Sequence, residues 1–338
     1  MRFWTTTAAR ARTGRIIIFA LLFSAGLPAV AQDTTFRSQS NVVLVPTLVR
    51  DATGHPVYGL QAQDFILDDN GASQIIHLDE SADLEPLSLI VAIQTGREAH
   101  REFPRIRGLN SMLGPILGEP QTQIAIVEFD SQVHLEQDFT GDGSRIQAVL
   151  QNLEPGDGGA AILDAVSYSV GLLSKVPQGR ERVLLLISEI RDHGSHWARI
   201  ENVVRRIGNS NISIYSLAFS PGLSEILDTE RGKRNQEAGS TFDLLKLMTT
   251  TVEATRRNTP RAVADQSGGE YELFESRKRF ESRMIDFTNH LRSRYLLSFE
   301  PENPEPGLHR IHVELRNAAG LAVSARNSYW AESPASSR

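Results

Sequence analysis

Two imidazoles and a carboxylate stand close together on one segment, Asp192-His193-Gly194-Ser195-His196, which directly follows a strongly apolar run. Histidine nitrogens and carboxylate oxygens are ligands for Zn²⁺ or Ni²⁺. Three such groups on one loop lack a fourth ligand, and the same residue types are common in solvated loops that cap helices. The segment leaves metal binding open and favours helix capping.

Motifs for nucleophilic or nucleotide chemistry are missing from the sequence. There is no Gly-x-Ser-x-Gly elbow, no His-Glu-x-x-His pair and no Walker-type phosphate loop. Gly156-Asp157-Gly158-Gly159 lacks the Lys and Ser/Thr that hold a nucleotide. Asp130, Ser131 and His134 are close in sequence but belong to no nucleophile elbow. The sequence predicts a protein that is not an enzyme; the alternative is a catalytic site assembled from dispersed residues.

The first 31 residues are predicted to be a signal peptide. They contain four arginines, the apolar run Ile16 to Phe23 and the small residues Ala29-Val30-Ala31. An uncleaved anchor is the alternative, but the apolar run is shorter than the roughly 20 residues that span a bilayer, and Pro28 interrupts it. We expect an exported chain, periplasmic or secreted, with no transmembrane segment after signal cleavage.

Composition narrows the classes of partner. The 338 residues include no cysteine, which excludes disulfides, thiol catalysis and zinc–thiolate sites. Without the four leading arginines, 31 basic residues remain against 41 acidic ones, a formal net charge of −10. Because like charges repel, so acidic a chain is not expected to bind nucleic acid. A protein partner is expected, with glycans and cations as further possibilities.

Hydrophobic periodicity predicts the elements that position these groups. From Pro86 onwards, apolar runs typical of strands buried on both faces alternate with helical patterns. This alternation predicts an α/β fold, a doubly wound and mostly parallel sheet flanked by helices, with Val183–Ile187 as a central strand. Further strands are predicted at 87–93, 124–129, 212–217 and 271–274, an antiparallel edge strand at 132–139, and helices at 98–117, 146–153, 162–176, 197–207, 242–256 and 280–291. A short helix is also predicted to start at Ala262 and to be ended by Gly268-Gly269.

The two ends of the chain carry β patterns. Short β-type runs lie between Val42 and Leu78, with Asn70-Gly71 as a hairpin signal, and the run Ile75–Leu78 is expected to return along the hairpin. Three strands near the C-terminus, at 295–299, 311–315 and 321–325, are expected to pair with this segment in a β-sandwich. The predicted organisation is a signal peptide (1–31), an N-terminal β segment (32–84), an α/β domain (85–293) with an insertion (218–260) that is functional or disordered, C-terminal strands (294–332) and a disordered tail (333–338).

Several short landmarks occur in a characteristic order between Val42 and Trp330. They include Phe129-Asp130-Ser131-Gln132-Val133, Gly158-Gly159 with Leu163-Asp164-Ala165, Ser267-Gly268-Gly269, and Arg292-Ser293-Arg294-Tyr295. Their order and spacing resemble the von Willebrand factor A (VWFA) domain, a Rossmann-like fold, and more closely the VWFA-related proteins typical of acidobacteria. The resemblance implies a metal-ion-dependent adhesion site at the carboxyl ends of the parallel strands.

That site has a known pattern in the family: Asp-x-Ser-x-Ser after the first strand, a Thr before a helix, and an Asp after the central strand. This chain departs from the pattern at nearly every position. The matching positions are Gln94, Gly96 and Glu98 in the first motif, Ala160 at the Thr, and Glu189 and Asp192 after the central strand. We predict that these residues form a degenerate adhesion-site face that holds no metal and needs no cofactor.

One alternative stays open for this face: Mg²⁺ or Ca²⁺ could be held by Glu98, Glu189, the Gln94 carbonyl oxygen and waters, although magnesium tolerates little departure from octahedral geometry. The preferred interpretation is that Arg97 or Arg191 pairs with Glu98 or Glu189 and fills the site with an internal ion pair. The predicted function is an exported, non-enzymatic protein–protein interaction module of the adhesion or scaffold type. The alternatives are a metal-dependent adhesion domain with variant ligands and a structural subunit of an envelope complex.

Overall fold

The computed structural model describes residues 42–79, 86–106, 108–219, 244–302 and 304–332. The predicted signal peptide, the predicted tail and part of the predicted insertion lie outside these residues. The strands are β1 (Val43–Arg50), β2 (Phe65–Asp69), β3 (Ala72–Ser73), β4 (His77–Asp79), β5 (Leu87–Gln94), β6 (Gln123–Phe129), β7 (Val133–Thr140), β8 (Glu181–Glu189), β9 (Ser213–Phe219), β10 (Tyr271–Leu273), β11 (Tyr295–Phe299), β12 (Gly307–Leu315), β13 (Ala322–Ala325) and β14 (Ser328–Ala331). The α-helices are α1 (Phe103–Ile106), α2 (Leu109–Leu117), α3 (Gly143–Gln151), α4 (Ile162–Leu173), α5 (Ile200–Gly208), α6 (Leu244–Arg257), α7 (Thr259–Ser267) and α8 (Arg277–Leu291).

A mostly parallel sheet forms the centre of the fold. Its order among the described residues is β10-β9-β8-β5-β6-β7, and the edge strand β7 runs antiparallel to β6. Strands β5 and β9 are buried along their whole length because helices cover both faces of the sheet. The predicted doubly wound α/β fold is therefore confirmed, with β8 in the interior of the sheet and β7 at its edge.

The two faces of the sheet support separate hydrophobic cores. Leu89 and Val91 of β5 pack with residues of α2, α3 and α8, whereas Ile90 and Ala92 pack with residues of α4, α5 and α7. This alternation follows from the period of two in a strand. Burying each large aliphatic side chain stabilises the fold by roughly 1.5–3 kcal/mol. The sheet is thus a rigid base that fixes where the loops at its carboxyl edge begin.

The two ends of the chain form two antiparallel sheets, as predicted from their β patterns. One has the order β13-β1-β11-β4 and the other β14-β12-β2-β3. Val45 lies opposite Leu297 in the first sheet and Leu67 opposite Val313 in the second, and all four side chains belong to one buried core. The N-terminal and C-terminal segments therefore build a common β structure.

Two predicted helices have different bounds in the structure. The stretch 98–117 is divided into a 3-10 helix (Arg97–Glu102), α1 and α2, in a region where Pro104 and Gly108 lower helix propensity. Helix α5 begins at Ile200 rather than at Trp197. The preceding residues are held outside the helix because the N–H groups of His196 and Ala198 donate to Asp164.

Two details of the β region were predicted wrongly. The Asn70-Gly71 turn does form, with both residues at positive φ, but it leads only into the short β3. The following strand β4, predicted to return along the hairpin, pairs with β11 in the other sheet. Strand β14 (Ser328–Ala331), which pairs with β12, was not predicted.

The region of the predicted insertion is in part helical. The amphipathic helix predicted at 242–256 is present as α6, and the short helix predicted before Gly268-Gly269 is α7. Gly268 ends α7 at φ +80°, in the left-handed region that glycine adopts without a steric penalty. No helix among the described residues combines the length and apolar character needed to cross a bilayer.

Candidate functional site

Four loops meet at the carboxyl edge of the parallel sheet. We use the term carboxyl-edge face for residues 94–98, 130–131, 156–161 and 189–197, which lie at or just after the ends of β5, β6 and β8 and before α4. Glycines allow the loops to approach closely. A Cβ atom on Gly96 would lie 2.0 Å from the Gly159 carbonyl oxygen, and one on Gly159 would lie 2.5 Å from the Ser131 nitrogen. The glycine that replaces the first serine of the family pattern is therefore required by this backbone contact.

Gln94 links the ends of β5 and β8. Its side chain is fully buried, its Oε1 accepts a hydrogen bond from the Glu189 N–H at 2.9 Å, and its Nε2 donates to the Gly96 carbonyl at 3.2 Å. An aspartate could accept the first bond but could not donate the second. Gln94 therefore uses both ends of its amide to hold the loop together.

Arg97 and Glu189 form an ion pair within the face. The Arg97 Nε lies 2.8 Å from the Glu189 Oε1, and the Glu189 side chain is only 6% exposed. The Glu189 Oε1 accepts no hydrogen bond from the described residues. The Arg97 Nε–H group is therefore not aligned with this oxygen, and the attraction between the two side chains is electrostatic. The prediction that Arg97 or Arg191 pairs with Glu98 or Glu189 is confirmed for Arg97 with Glu189.

The backbone of Arg97 is strained in support of that contact. Arg97 has φ +56°, a left-handed conformation that costs a residue with a Cβ about 1–2 kcal/mol. Its N–H donates to the Asp157 carbonyl at 2.7 Å, which holds the loop in place. Strain of this kind persists only where surrounding contacts fix the backbone. The loop is therefore built to direct the guanidinium towards Glu189.

Glu98 and Ala160, two further members of the family pattern, have separate roles. The Glu98 carboxylate lies 2.8 Å from Arg101, a pair that is largely exposed. Ala160 is fully buried and exchanges two backbone hydrogen bonds with His193, at 2.6 and 2.8 Å. Ala160 thus contributes an interloop bridge but no side-chain oxygen. Glu98 and Glu189 are each paired with a different arginine.

Asp130 and Asp157 are two carboxylates of the face that the sequence reasoning did not single out as site residues. Asp157 accepts hydrogen bonds from the Ser131 N–H at 3.0 Å, the Ser131 hydroxyl and the Gly159 N–H at 2.7 Å. The Ser131 hydroxyl bond is the main cause that lowers the pKa of Asp157 below its usual value. Asp130 accepts from the N–H groups of Gln132 and Asp157. Both organise the loops that surround them.

The loop after β8 caps a helix, as its residue types indicated. Asp192 Oδ1 accepts the Leu163 N–H at 2.9 Å, in the first turn of α4, and the Ser195 hydroxyl at 2.5 Å. Asp164, 1% exposed, accepts the N–H groups of His196 and Ala198 in return. Within the described residues, no group of three or more His, Asp or Glu side chains is placed to hold a metal ion.

Trp197 is an exposed aromatic side chain beside this loop. It is 55% exposed and lines a cleft with Asn202 and Arg205 of α5 and Ser167 of α4. Trp197 was predicted only as a residue at the start of a helix. An exposed tryptophan next to a rigid loop is a typical binding anchor, but its exposure cannot be known before α5 is placed.

Comparison with known proteins agrees with this architecture. Residues 95–193 match the von Willebrand factor type A domain family. The matched stretch runs from the loop after β5 to the loop after β8. No curated protein matches the chain.

Solved structures with low identity also align with the chain. An aerotolerance-related membrane protein from Bacteroides fragilis is 15% identical, with a TM-score of 0.41, covering 61% of this chain and 98% of that one. BatB from Bacteroides thetaiotaomicron is 13% identical, with a TM-score of 0.41, covering 61% and 99%. The PilB minor pilin from Streptococcus sanguinis is 11% identical, with a TM-score of 0.42, covering 64% and 63%.

Proposed function

We propose that this protein is an exported, non-enzymatic protein-interaction module of the adhesion or scaffold type. Its partner would bind at the carboxyl-edge face without a bridging metal ion. The match of residues 95–193 to the von Willebrand factor type A domain family supports an interaction role. Export, in the periplasm or outside the cell, rests on the predicted signal peptide, and the closer resemblance to acidobacterial VWFA-related proteins is part of the same proposal.

The observation that carries the proposal is the Arg97–Glu189 ion pair. A guanidinium lies against the acidic residue that follows the central strand, where the resemblance implies a metal ligand. Mg²⁺ needs a near-octahedral set of oxygens. Here the Gln94 oxygen already accepts a hydrogen bond and Ala160 offers no side-chain oxygen. The donor set does not fit a divalent cation, and Arg97 supplies the positive charge instead.

The hydroxyls and carboxylates of the face support a binding role over catalysis. Ser131 and Ser195 both donate to carboxylates, Asp157 and Asp192, whose other hydrogen bonds hold backbone N–H groups. A carboxylate with a lowered pKa is a weak base, and Asp157 is of this kind. These groups stabilise loops, and none is left as an activated nucleophile.

Arg97 and Trp197 are the side chains that we assign to partner contact. Arg97 is 37% exposed although it is paired, and Trp197 is 55% exposed. Arginine and tryptophan are enriched among residues that dominate binding energy, because each combines a large contact area with directed hydrogen bonds or stacking. A protein surface of complementary shape and charge is therefore the proposed ligand.

The test is capture of the partner from the native host by the purified mature chain and its variants. We expect Trp197→Ala and Arg97→Ala to weaken binding by about tenfold or more each. Ile285→Ala is the matched control, because Ile285 is an exposed apolar residue, 57% exposed, on the distant helix α8. Equal capture of the partner by the unsubstituted chain and by all three variants would contradict the proposal.

A metal-dependent adhesion domain with variant ligands is the second candidate. The Glu189 Oε1 favours it, since this buried oxygen accepts no hydrogen bond from the described residues. Under this candidate, added Mg²⁺, Mn²⁺ or Ca²⁺ would displace Arg97 and stabilise the fold. Partner capture that requires a divalent ion and is abolished by chelation would favour it over the metal-free face.

A further inference from the structure

A cavity of about 390 Å³ lies at the opposite edge of the sheet, beside the first residues of β8 and β9. One wall comes from Leu44 and Pro46 of β1 and from Tyr295 and Leu296 of β11. The cavity is therefore enclosed partly by the α/β sheet and partly by the β structure of the two chain ends.

The charges that line this cavity are strongly unbalanced. Five arginines line it, against a single acidic residue, Glu181; the arginines are Arg180, Arg182, Arg292, Arg294 and Arg326. The carboxylate of Glu181 already lies 2.9 Å from Arg292. The positive charge of the remaining arginines is thus not balanced within the cavity wall.

Arg326 is the most deeply buried of the five. It is 4% exposed, and its guanidinium donates to the carbonyl oxygens of Ser328, Leu44 and Gly208 rather than to a carboxylate. Burial lowers the pKa of Arg326 to about 10. A buried cation without a counterion is costly, so a bound anion would stabilise this arrangement.

Arg294 and Arg182 carry donors that the described residues do not use. The Arg294 side chain is 7% exposed; it stacks on the Tyr215 ring, 4.7 Å from the ring centroid, and pairs at 3.8 Å with Glu270, but its Nε and Nη2 have no hydrogen-bond acceptor. The Arg182 Nε is also buried without an acceptor. Unsatisfied N–H donors of this kind point to a missing acceptor, and guanidinium groups match carboxylate and phosphate oxygens in pairs.

We propose that this arginine cavity binds a small oxyanion, a carboxylate or phosphate group, through Arg182, Arg294 and Arg326. Its apolar walls suit a ligand that carries a short apolar part beside the anionic group. The site is separate from the carboxyl-edge face, so it would act as a second binding site or as a structural anion site of the fold.

The experiment measures the melting temperature of the mature chain in phosphate, phenylphosphate, acetate and benzoate, against sodium chloride at equal ionic strength. At about tenfold excess over the dissociation constant, a specific anion is expected to raise the melting temperature by about 2–4 °C. A saturable rise with phosphate and phenylphosphate, or with acetate and benzoate, supports the proposal and identifies the anionic group as a phosphate or a carboxylate. A larger rise with phenylphosphate or benzoate than with the plain anion indicates that the apolar walls contact the ligand. A response no larger than that to chloride would overturn it.

Variants assign the response to the cavity. Arg182→Gln and Arg294→Gln are expected to weaken anion binding by at least about tenfold in calorimetry. Arg277→Gln, at an exposed position paired with Glu281 on α8, should bind as the wild type does. Undiminished binding in both cavity variants would refute the site.

Asn211→Asp tests the same site even if an arginine variant fails to fold. The Asn211 Oδ1 lies 3.5 Å from Arg326 Nη1, and aspartate has nearly the same shape. The new carboxylate is expected to raise the melting temperature without added anion and to reduce the rise caused by phosphate or acetate. A lowered melting temperature together with an unchanged anion response would contradict the proposal.

Discussion

Gly158 and Gly159 are neighbours in the loop before α4, yet the space around them differs completely. A Cβ atom on Gly159 would lie 2.5 Å from the Ser131 backbone, whereas one on Gly158 would meet nothing within 4 Å. Gly159→Ala should therefore lower the free energy of unfolding by about 1–3 kcal/mol, because the backbone at Ser131 would have to move to make room for the methyl group. Gly158→Ala should change it by less than about 0.5 kcal/mol. Urea unfolding measures both, and equal values would contradict the described loop packing.

The sequence identified which residues stand where the resemblance implies a metal site, but not the geometry of those residues. Gln94, Ala160 and Glu189 could be assigned because they follow or precede recognisable elements. Sequence reasoning left four possible arginine–glutamate pairs open, since side-chain direction depends on the backbone. The positive φ of Arg97 decides between them, and no local pattern predicts a left-handed arginine. Asp130 and Asp157 were missed as site residues for the same reason, because their hydrogen bonds join separate loops.

The side chain of Glu128 on β6 lies in an environment that disfavours the charged form of its carboxyl group. Burial, together with the charges of Glu136 and Glu154, raises the pKa of Glu128 on β6 to about 7, from an unfolded value near 4.5. The folded state therefore binds this proton more tightly, so its contribution to stability is present at low pH and is lost as the pH rises through about 7.

Glu128→Gln removes the titrating carboxyl group, so the loss of stability at high pH should disappear. The variant should gain stability relative to the wild type, and the gain at pH 8 should exceed that at pH 5 by about 1 kcal/mol, a value reduced for the partial exposure of the group. Urea unfolding at the two pH values provides the measurement. Glu302→Gln, at an exposed turn, is the control and should show no such difference. A gain that is independent of pH would contradict the burial of Glu128.

Element prediction succeeded where long apolar patterns determined burial. The sequence predicted the bounds of the parallel strands and of four helices, α4, α6, α7 and α8, to within a few residues. Their apolar patterns are clear because the side chains of each element pack into one or both hydrophobic cores. Boundaries failed where distant contacts decide them. Trp197 lies outside α5 because Asp164 holds its neighbours, and β4 leaves the hairpin because β11 offers it a partner.

At the scale of the molecule, the α/β region and the paired chain ends pack closely. Gly208 at the end of α5 has no room for a Cβ, which would lie 2.9 Å from Trp330 on β14. Arg326 also donates to Gly208 and to Leu44 on β1. These contacts predict that both regions unfold together.

Trp197 and Trp330, the two tryptophans of residues 32–338, allow a direct check in a chain without residues 1–31, because Trp197 lies in the α/β region and Trp330 in β14. Trp330→Phe leaves Trp197 as the reporter, and Trp197→Phe leaves Trp330. Fluorescence of each variant should give a transition that coincides with its own circular dichroism transition. Fluorescence midpoints that differ from circular dichroism in either variant would show independent unfolding.

The central claim is that Arg97 occupies the role of a divalent cation at the carboxyl-edge face. The most direct measurement is the melting temperature of the mature chain during titration with Mg²⁺, Mn²⁺ and Ca²⁺ at constant ionic strength. The Arg97–Glu189 ion pair predicts no saturable rise for any of the three ions. A saturable rise that Glu189→Ala abolishes would contradict it.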